Sequence, residues 1–185
     1  MIKKFVGLFV ISLMMGTGFI YSGLYPVGAD DHHFKLTHWG LETLRERSIA
    51  RSASDIVVPD LSDPLLLLVG GADYNDMCSG CHLRPGVNDN DMTIGLYPRP
   101  ANLTDKPGER GDDHADQMPY EDAERRAFWI IKHGIKASGM PAWGPTHDDG
   151  RIWAIVSFLQ KLPELTEMQY QILTARPEQE PGEHH

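Results

Sequence analysis

An all-α fold with an N-terminal membrane-spanning helix is what the sequence predicts, on three observations. Apolar residues recur at helical spacing in separate segments of the second two-thirds of the chain, around Leu67, Ala127 and Ile155. No strand-like alternation surrounds the one Cys-x-x-Cys run at Cys78 and Cys81. An uncharged stretch of 20 residues, 5–24, follows Lys3 and Lys4 near the N-terminus.

That first stretch is a signal or an anchor. Val27-Gly28-Ala29 has the small-residue character of a cleavage site, but the run is longer than a signal core of about 7–15 residues and long enough to span a bilayer. An uncleaved anchor over 1–29 is therefore favoured over release near Ala29. In either case the basic flank stays inside and the remainder is exported.

Residues 38–53, with Leu41, Leu44, Arg45, Arg47 and Arg51, read as a juxtamembrane helix. A spacer role is favoured over docking on a partner subunit. With the proline-bearing connector Ile56 to Asp63 it makes up a linker region, 30–61. The next helix begins at Asp63, a good cap, and Pro64, a good first-turn residue; Leu67, Gly70, Gly71, Tyr74, Met77 and Cys78 then recur at helical spacing. Glu121 and Asp122 open another helix with Ala123, Ala127 and Ile131 on one face. Lys132 and His133, whose charges suit the helix dipole, close it before Gly134.

The strongest periodicity is Ile152, Ile155, Val156 and Leu159, with Thr146 and Asp149 as a start resembling a capping box and Pro163 as a stop. These elements delimit a domain over 62–163. The extension 164–185 holds one short helix over Thr166 to Ala175, capped by Thr166 and Gln169, and a tail from Arg176 that reads as disordered. No internal repeat and no second Cys-x-x-Cys-His run is present.

Cys78-Ser79-Gly80-Cys81-His82 carries the chemistry. Two thiols three positions apart on a helical turn can each form a thioether to one vinyl group of a haem, while the adjacent imidazole reaches the iron, so the run is a c-type haem attachment signal. A structural zinc site would need two further ligands, and no His pair at finger spacing follows. A thioredoxin-like pair would want strands around it. A plain disulfide remains as the last alternative.

A second axial ligand is needed if the iron is to shuttle electrons rather than bind small molecules. Met140, 58 residues after His82 in Ser138-Gly139-Met140-Pro141-Ala142-Trp143, sits in a loop punctuated by Gly and Pro between two helices. Met118, also followed by proline, competes from an acidic stretch and is less favoured. Met77 and Met168 read as core filler. Trp143 packs on the porphyrin, or bonds a propionate through its indole N–H, or is an ordinary core aromatic.

From about residue 62 to 163 the chain resembles class I (mitochondrial-type) monohaem cytochromes c, the membrane-attached bacterial members in particular. Gly70, Tyr74 and Cys78 fall at that family's spacing of small residue, aromatic and first haem cysteine. Phe158, in Ser157-Phe158-Leu159, matches the aromatic at the crossing of the last helix, as partner of Gly70 and Tyr74. The resemblance implies three to five short helices around one covalently attached haem c, held by Cys78 and Cys81. It also implies a proline carbonyl that fixes the tautomer of the axial His82; Pro100-Ala101-Asn102-Leu103 fits that segment, and Pro100 is preferred over Pro85.

The expected function is electron transfer with His82 and Met140 as axial ligands and no open iron position, hence no small-molecule substrate and no catalysis of its own. A haem subunit fixed in a larger oxidoreductase complex is the alternative, and a five-coordinate sensor or peroxidase a weaker one. All 26 acidic residues and 15 of the 17 basic ones fall in the exported part, more acidic than the −9 of the whole. That sign excludes nucleic acid and suits a redox partner with a neutral, apolar or basic face: a membrane dehydrogenase, an oxidase or a copper protein. Lys132 and Lys136 could give the ligand loop a local positive sign. His133 and His147 flank that loop; His32, His33, His114, His184 and His185 read as solvated. The expected place is a bacterial inner membrane with the haem domain facing the periplasm.

Overall fold

The computed structural model describes residues 2–106 and 120–176, and among them it holds helices and no strand. The helices are α1 (Ile2–Ser22), α2 (Lys35–Ala53), α3 (Pro64–Met77), α4 (Ser79–His82), α5 (Asp91–Ile94), α6 (Tyr120–His133), α7 (Asp149–Lys161) and α8 (Glu167–Thr174), with a 3-10 turn over Leu162–Glu164. Met118, His114, His184 and His185, and the tail beyond Arg176, lie outside the described residues.

The body is organised by the crossing of α3 and α7. Asp63 caps α3 by accepting from the Leu65 amide, with Pro64 in the first turn. At the crossing a Cβ on Gly70 would lie 2.0 Å from the Ala154 carbonyl oxygen, so only glycine admits the two backbones at this separation. The partner of Gly70 is thus the backbone of Ala154 and Ile155. Phe158 instead lies on Gly71 and on Tyr74, whose ring centroid is 5.4 Å from its own. Tyr74, Cys78, Phe158, Leu162 and Tyr170 form one buried cluster. Phe128, Ile131, Ile152, Ile155 and Val156 form another, and Met77 packs against both.

The cap of α7 differs from the expected one. Asp148, not Thr146, accepts from the Arg151 amide, and the Thr146 hydroxyl bonds the Trp143 carbonyl instead, because the helix begins one turn past that loop. α8 carries the expected capping box of Thr166 and Gln169. Met168, expected in the core, is exposed, because α8 turns Tyr170 and Thr174 inward.

Rather than a free-standing spacer, α2 is packed on α6. Ile49 and Ala53 are buried, Glu46 pairs with Arg126 at 2.7 Å, and Arg125 reaches the Ser54 carbonyl at 2.9 Å. The connector is drawn in too: Ile56 and Leu61 pack on the second cluster, and Ser157 bonds the Leu61 carbonyl.

α1 stands apart from this packing. Its 21 residues bury none of their side chains, and at about 1.5 Å per residue they match an apolar bilayer thickness of about 30 Å. By length and composition it fits a membrane anchor.

Candidate haem site

α3 delivers the attachment turn. Its last bond, from the Cys78 amide to the Tyr74 carbonyl, is followed by Cys81 and His82 amides bonding the Cys78 carbonyl and by Leu83 bonding Ser79, so Cys78 to His82 is one tight turn. Cys78 is buried in the first cluster and Cys81 is partly exposed; both are free thiols, not a disulfide. Burial, with Asp73 and Cys81 nearby, pushes the Cys78 thiol up to about 12, so it is held protonated. Among the described residues no group of three or more His, Cys, Asp or Glu is placed to hold a metal ion, so the two thiols have no companions of the kind a structural zinc site takes.

His82 is fixed by three bonds from other segments. Its Nδ1 lies 2.8 Å from the Ala101 carbonyl oxygen. A carbonyl can only accept, so Nδ1 carries the proton and Nε2 keeps its lone pair, the tautomer an axial ligand requires. Burial pushes the imidazole below its ordinary value, with the Ala101 bond opposing, and the ring is neutral. The acceptor is therefore Ala101, and neither Pro100 nor Pro85: the carbonyl one residue past Pro100 is the one beneath the ring. The Leu103 amide returns to bond the His82 carbonyl at 3.2 Å.

The Tyr74 hydroxyl supplies the remaining hold. It reaches the His82 carbonyl at 3.1 Å and the Leu83 carbonyl at 2.7 Å. Leu83 has φ +67 and ψ −178, a region nearly confined to glycine, and it is buried. The hydroxyl thus clamps a strained residue directly after the histidine. The family resemblance implied Tyr74 as an aromatic packed at the helix crossing; nothing in the sequence signalled this second use of the same side chain. Asn90, which caps α5, ties the turn on another side by donating to the Gly80 carbonyl at 3.0 Å.

Met140 and Trp143 arrive together on one loop closed onto the end of α6. The Trp143 and Gly144 amides bond the Ile131 and Lys132 carbonyls, two that the helix itself leaves free, and Ile135 bonds the Met140 carbonyl at 3.1 Å. Gly134, φ +64, begins the loop, and a Cβ there would sit 2.7 Å from the Met140 oxygen. Both side chains are partly buried against the second cluster, which Met77 joins to the cluster of Cys78. His147 meets the Trp143 ring edge-on at 5.4 Å, His133 packs on Trp129, and Lys132 is paired with Asp149 at 2.6 Å.

The turn fits a covalently attached haem, with two thiols and a neutral imidazole whose outer nitrogen is unprotonated, and the Met140 thioether lies on a closed loop packed on the second cluster. An all-helical body carrying this turn is a monohaem cytochrome c, with a covalent c-type haem serving electron transfer. Residues 67–159, half of the chain, match the family model described as cytochrome c oxidase, cbb3-type, subunit III, and the chain belongs to that family. No curated protein and no solved structure matches it. Membership makes the protein an electron carrier or an oxidase subunit.

Proposed function

We propose that the protein is an anchored electron carrier in which Cys78 and Cys81 form the two thioethers, each thiol adding across one vinyl group, and His82 and Met140 are the axial ligands. The single observation that carries this reading is the His82 Nδ1 bond to the Ala101 carbonyl, which orients the ring and frees Nε2. The haem supplies one-electron chemistry between Fe(II) and Fe(III). The chain's own residues do the rest. His82 is held in one tautomer; Tyr74 and Leu103 fix the backbone beneath it; Met140 would supply the second ligand, a soft sulfur that favours reduced iron; the two apolar clusters and Trp143 would keep water away.

The optical and magnetic circular dichroism spectrum of the ferric protein tests the ligand pair. Low-spin iron with imidazole and thioether is expected; a high-spin spectrum with rapid binding of carbon monoxide would put the five-coordinate sensor in its place.

A bacterial inner membrane with the body on the periplasmic side is the location this reading requires. Support comes from the segment across the candidate cleavage point. Tyr25, before Ala29, bonds His33 Nδ1 at 2.7 Å and packs edge-on against Phe34 at 5.2 Å, so residues on both sides belong to one folded strap. A second reading, a haem subunit fixed in an oxidase, is favoured by the family model itself. Stable co-purification with a large complex from native membranes would establish it over free carriage between redox partners.

A further inference from the structure

The strap between α1 and α2 does more than join them. His32 and His33 lay their rings on Tyr97 at 4.8 and 5.3 Å, and Tyr97 belongs to the loop that leads from α5 to Ala101. The end of the anchor, the start of α2 and the α5 loop are thereby gathered at one place. These segments leave large apolar side chains uncovered: Trp39 is 65 % exposed, Leu36 77 %, Ile94 66 % and Met92 59 %. Leu96 of the same loop lies against the methionine loop, where a Cβ on Gly139 would be 3.5 Å from its Cδ2.

We propose that Phe34, Leu36 and Trp39 together with Met92 and Ile94 form a collar around the exit of α1 that rests on the lipid surface, seating the body on the membrane with its Met140 side toward the bilayer. This deepens, and rests on, the anchored reading above. The occupant follows from continuity. The Tyr25 ring touches Phe34, and Trp39 is five residues further along a helix, about 8 Å at 1.5 Å per residue, so the collar begins where the apolar helix leaves off. A bilayer that holds α1 therefore reaches these side chains first.

The composition fits the interface rather than the hydrocarbon. An indole and Tyr25 suit the headgroup level, and Lys35, exposed at the start of α2, suits anionic phosphates there. Asp30, Asp31 and Asp91 limit the depth, because carboxylates resist transfer into lipid. Seated in this way, the body is restrained to a narrow range of orientations, and a partner that lies in the same membrane meets the same face at every encounter.

The test uses the full-length, haem-loaded protein in nanodiscs of zwitterionic and anionic lipid. Trp39→Cys, Ile94→Cys and, as a water-facing reference on α8, Met168→Cys each take a nitroxide label. The unsubstituted chain is the blank, its own thiols being consumed as thioethers. At positions 39 and 94 the ratio of relaxation by oxygen to relaxation by a water-soluble nickel chelate should exceed that at 168 severalfold. Equal ratios at all three positions, in protein retained by the discs, overturn the collar and leave that face to solvent or to a protein. A raised ratio at 39 alone also overturns it, since the body then stands off the surface. Protein that fails to enter the discs would overturn the anchored reading itself, and the collar with it.

Discussion

The histidine side and the methionine side of the site are built by different means. His82 is held by side chains and by chain segments distant in sequence: Tyr74 from α3, Ala101 and Leu103 from the loop after α5. Met140 is held mainly by neighbours, through backbone bonds from its loop to the last turn of α6, the Ser138 hydroxyl that accepts from its amide and a glycine at each end, Gly134 and Gly144, with Leu96 lying against Gly139. The imidazole is oriented by a bond to the ring itself. The sulfur is placed by the path of its loop and by packing on the second cluster. On the proposed ligation, a methionine set in this way should be the first to let go, while the histidine survives any change short of unfolding.

The largest effect is expected where both sides share a foundation. In Gly70→Ala the new Cβ must move the Ala154 backbone, 2.0 Å away, and neither helix can yield without displacing the other. A loss of about 3 kcal/mol is expected, at the upper end for overpacking, and the midpoint of chemical denaturation measures it.

Gly134→Ala should separate the two sides. It forces an L side chain into φ +64 and against the Ala142 amide and the Met140 carbonyl, both 2.7 Å away, at a cost of about 2 kcal/mol. The thioether signature of the ferric spectrum should be lost while the imidazole signature stays. Loss of both would mean that the sides are not mechanically independent.

Tyr74→Phe tests the histidine side alone. It leaves the buried Leu83 carbonyl without its bond and should destabilise by about 1–2 kcal/mol in a thermal melt, with methionine ligation unchanged.

The smallest effect is on pH dependence. Burial raises the Asp73 carboxyl, but bonds and charge from Arg151 and Arg176 outweigh it and hold the group below its ordinary value of 3.8. Its folded value being depressed, the carboxylate's contribution is fully present above the unfolded value and is lost as pH falls below about 4, through the folded value. Asp73→Asn should therefore flatten the stability profile in that acid window and leave the slope near neutrality unchanged, as denaturation at a series of pH values would show. An unchanged acid slope would mean that the pairing across α3 and α7 contributes nothing there.

The parts of this protein that were legible in the sequence are those set by local spacing. The Cys-x-x-Cys-His turn, the Asp63 and Pro64 start of α3, the Thr166 capping box and the apolar repeat of α7 each lie within a dozen residues, and each formed as the spacing required. Local spacing does not determine how two distant segments are set against each other, where one or two residues decide the contact. Ala101 rather than Pro100 faces the imidazole, because which carbonyl lies beneath the ring depends on the path of the loop through α5. Phe158 meets Gly71 rather than Gly70, because the crossing places the Ala154 backbone in the notch. The packing of α2 on α6 rests on Glu46 and Arg126, 80 residues apart, and on Ile49, whose neighbours give no sign of a buried face.

The order of the residues alone determined the chemistry, since two thiols and an imidazole on one turn admit few uses, and it determined the helices, since amide bonds and caps act over three or four positions. Only the tertiary structure decided which carbonyl holds the histidine, how a tyrosine hydroxyl came to brace the strained Leu83, and that the strap after the anchor lies on the same loop as the ligand's acceptor. Those contacts join segments tens of residues apart, and their geometry exists only once α3 and α7 have crossed.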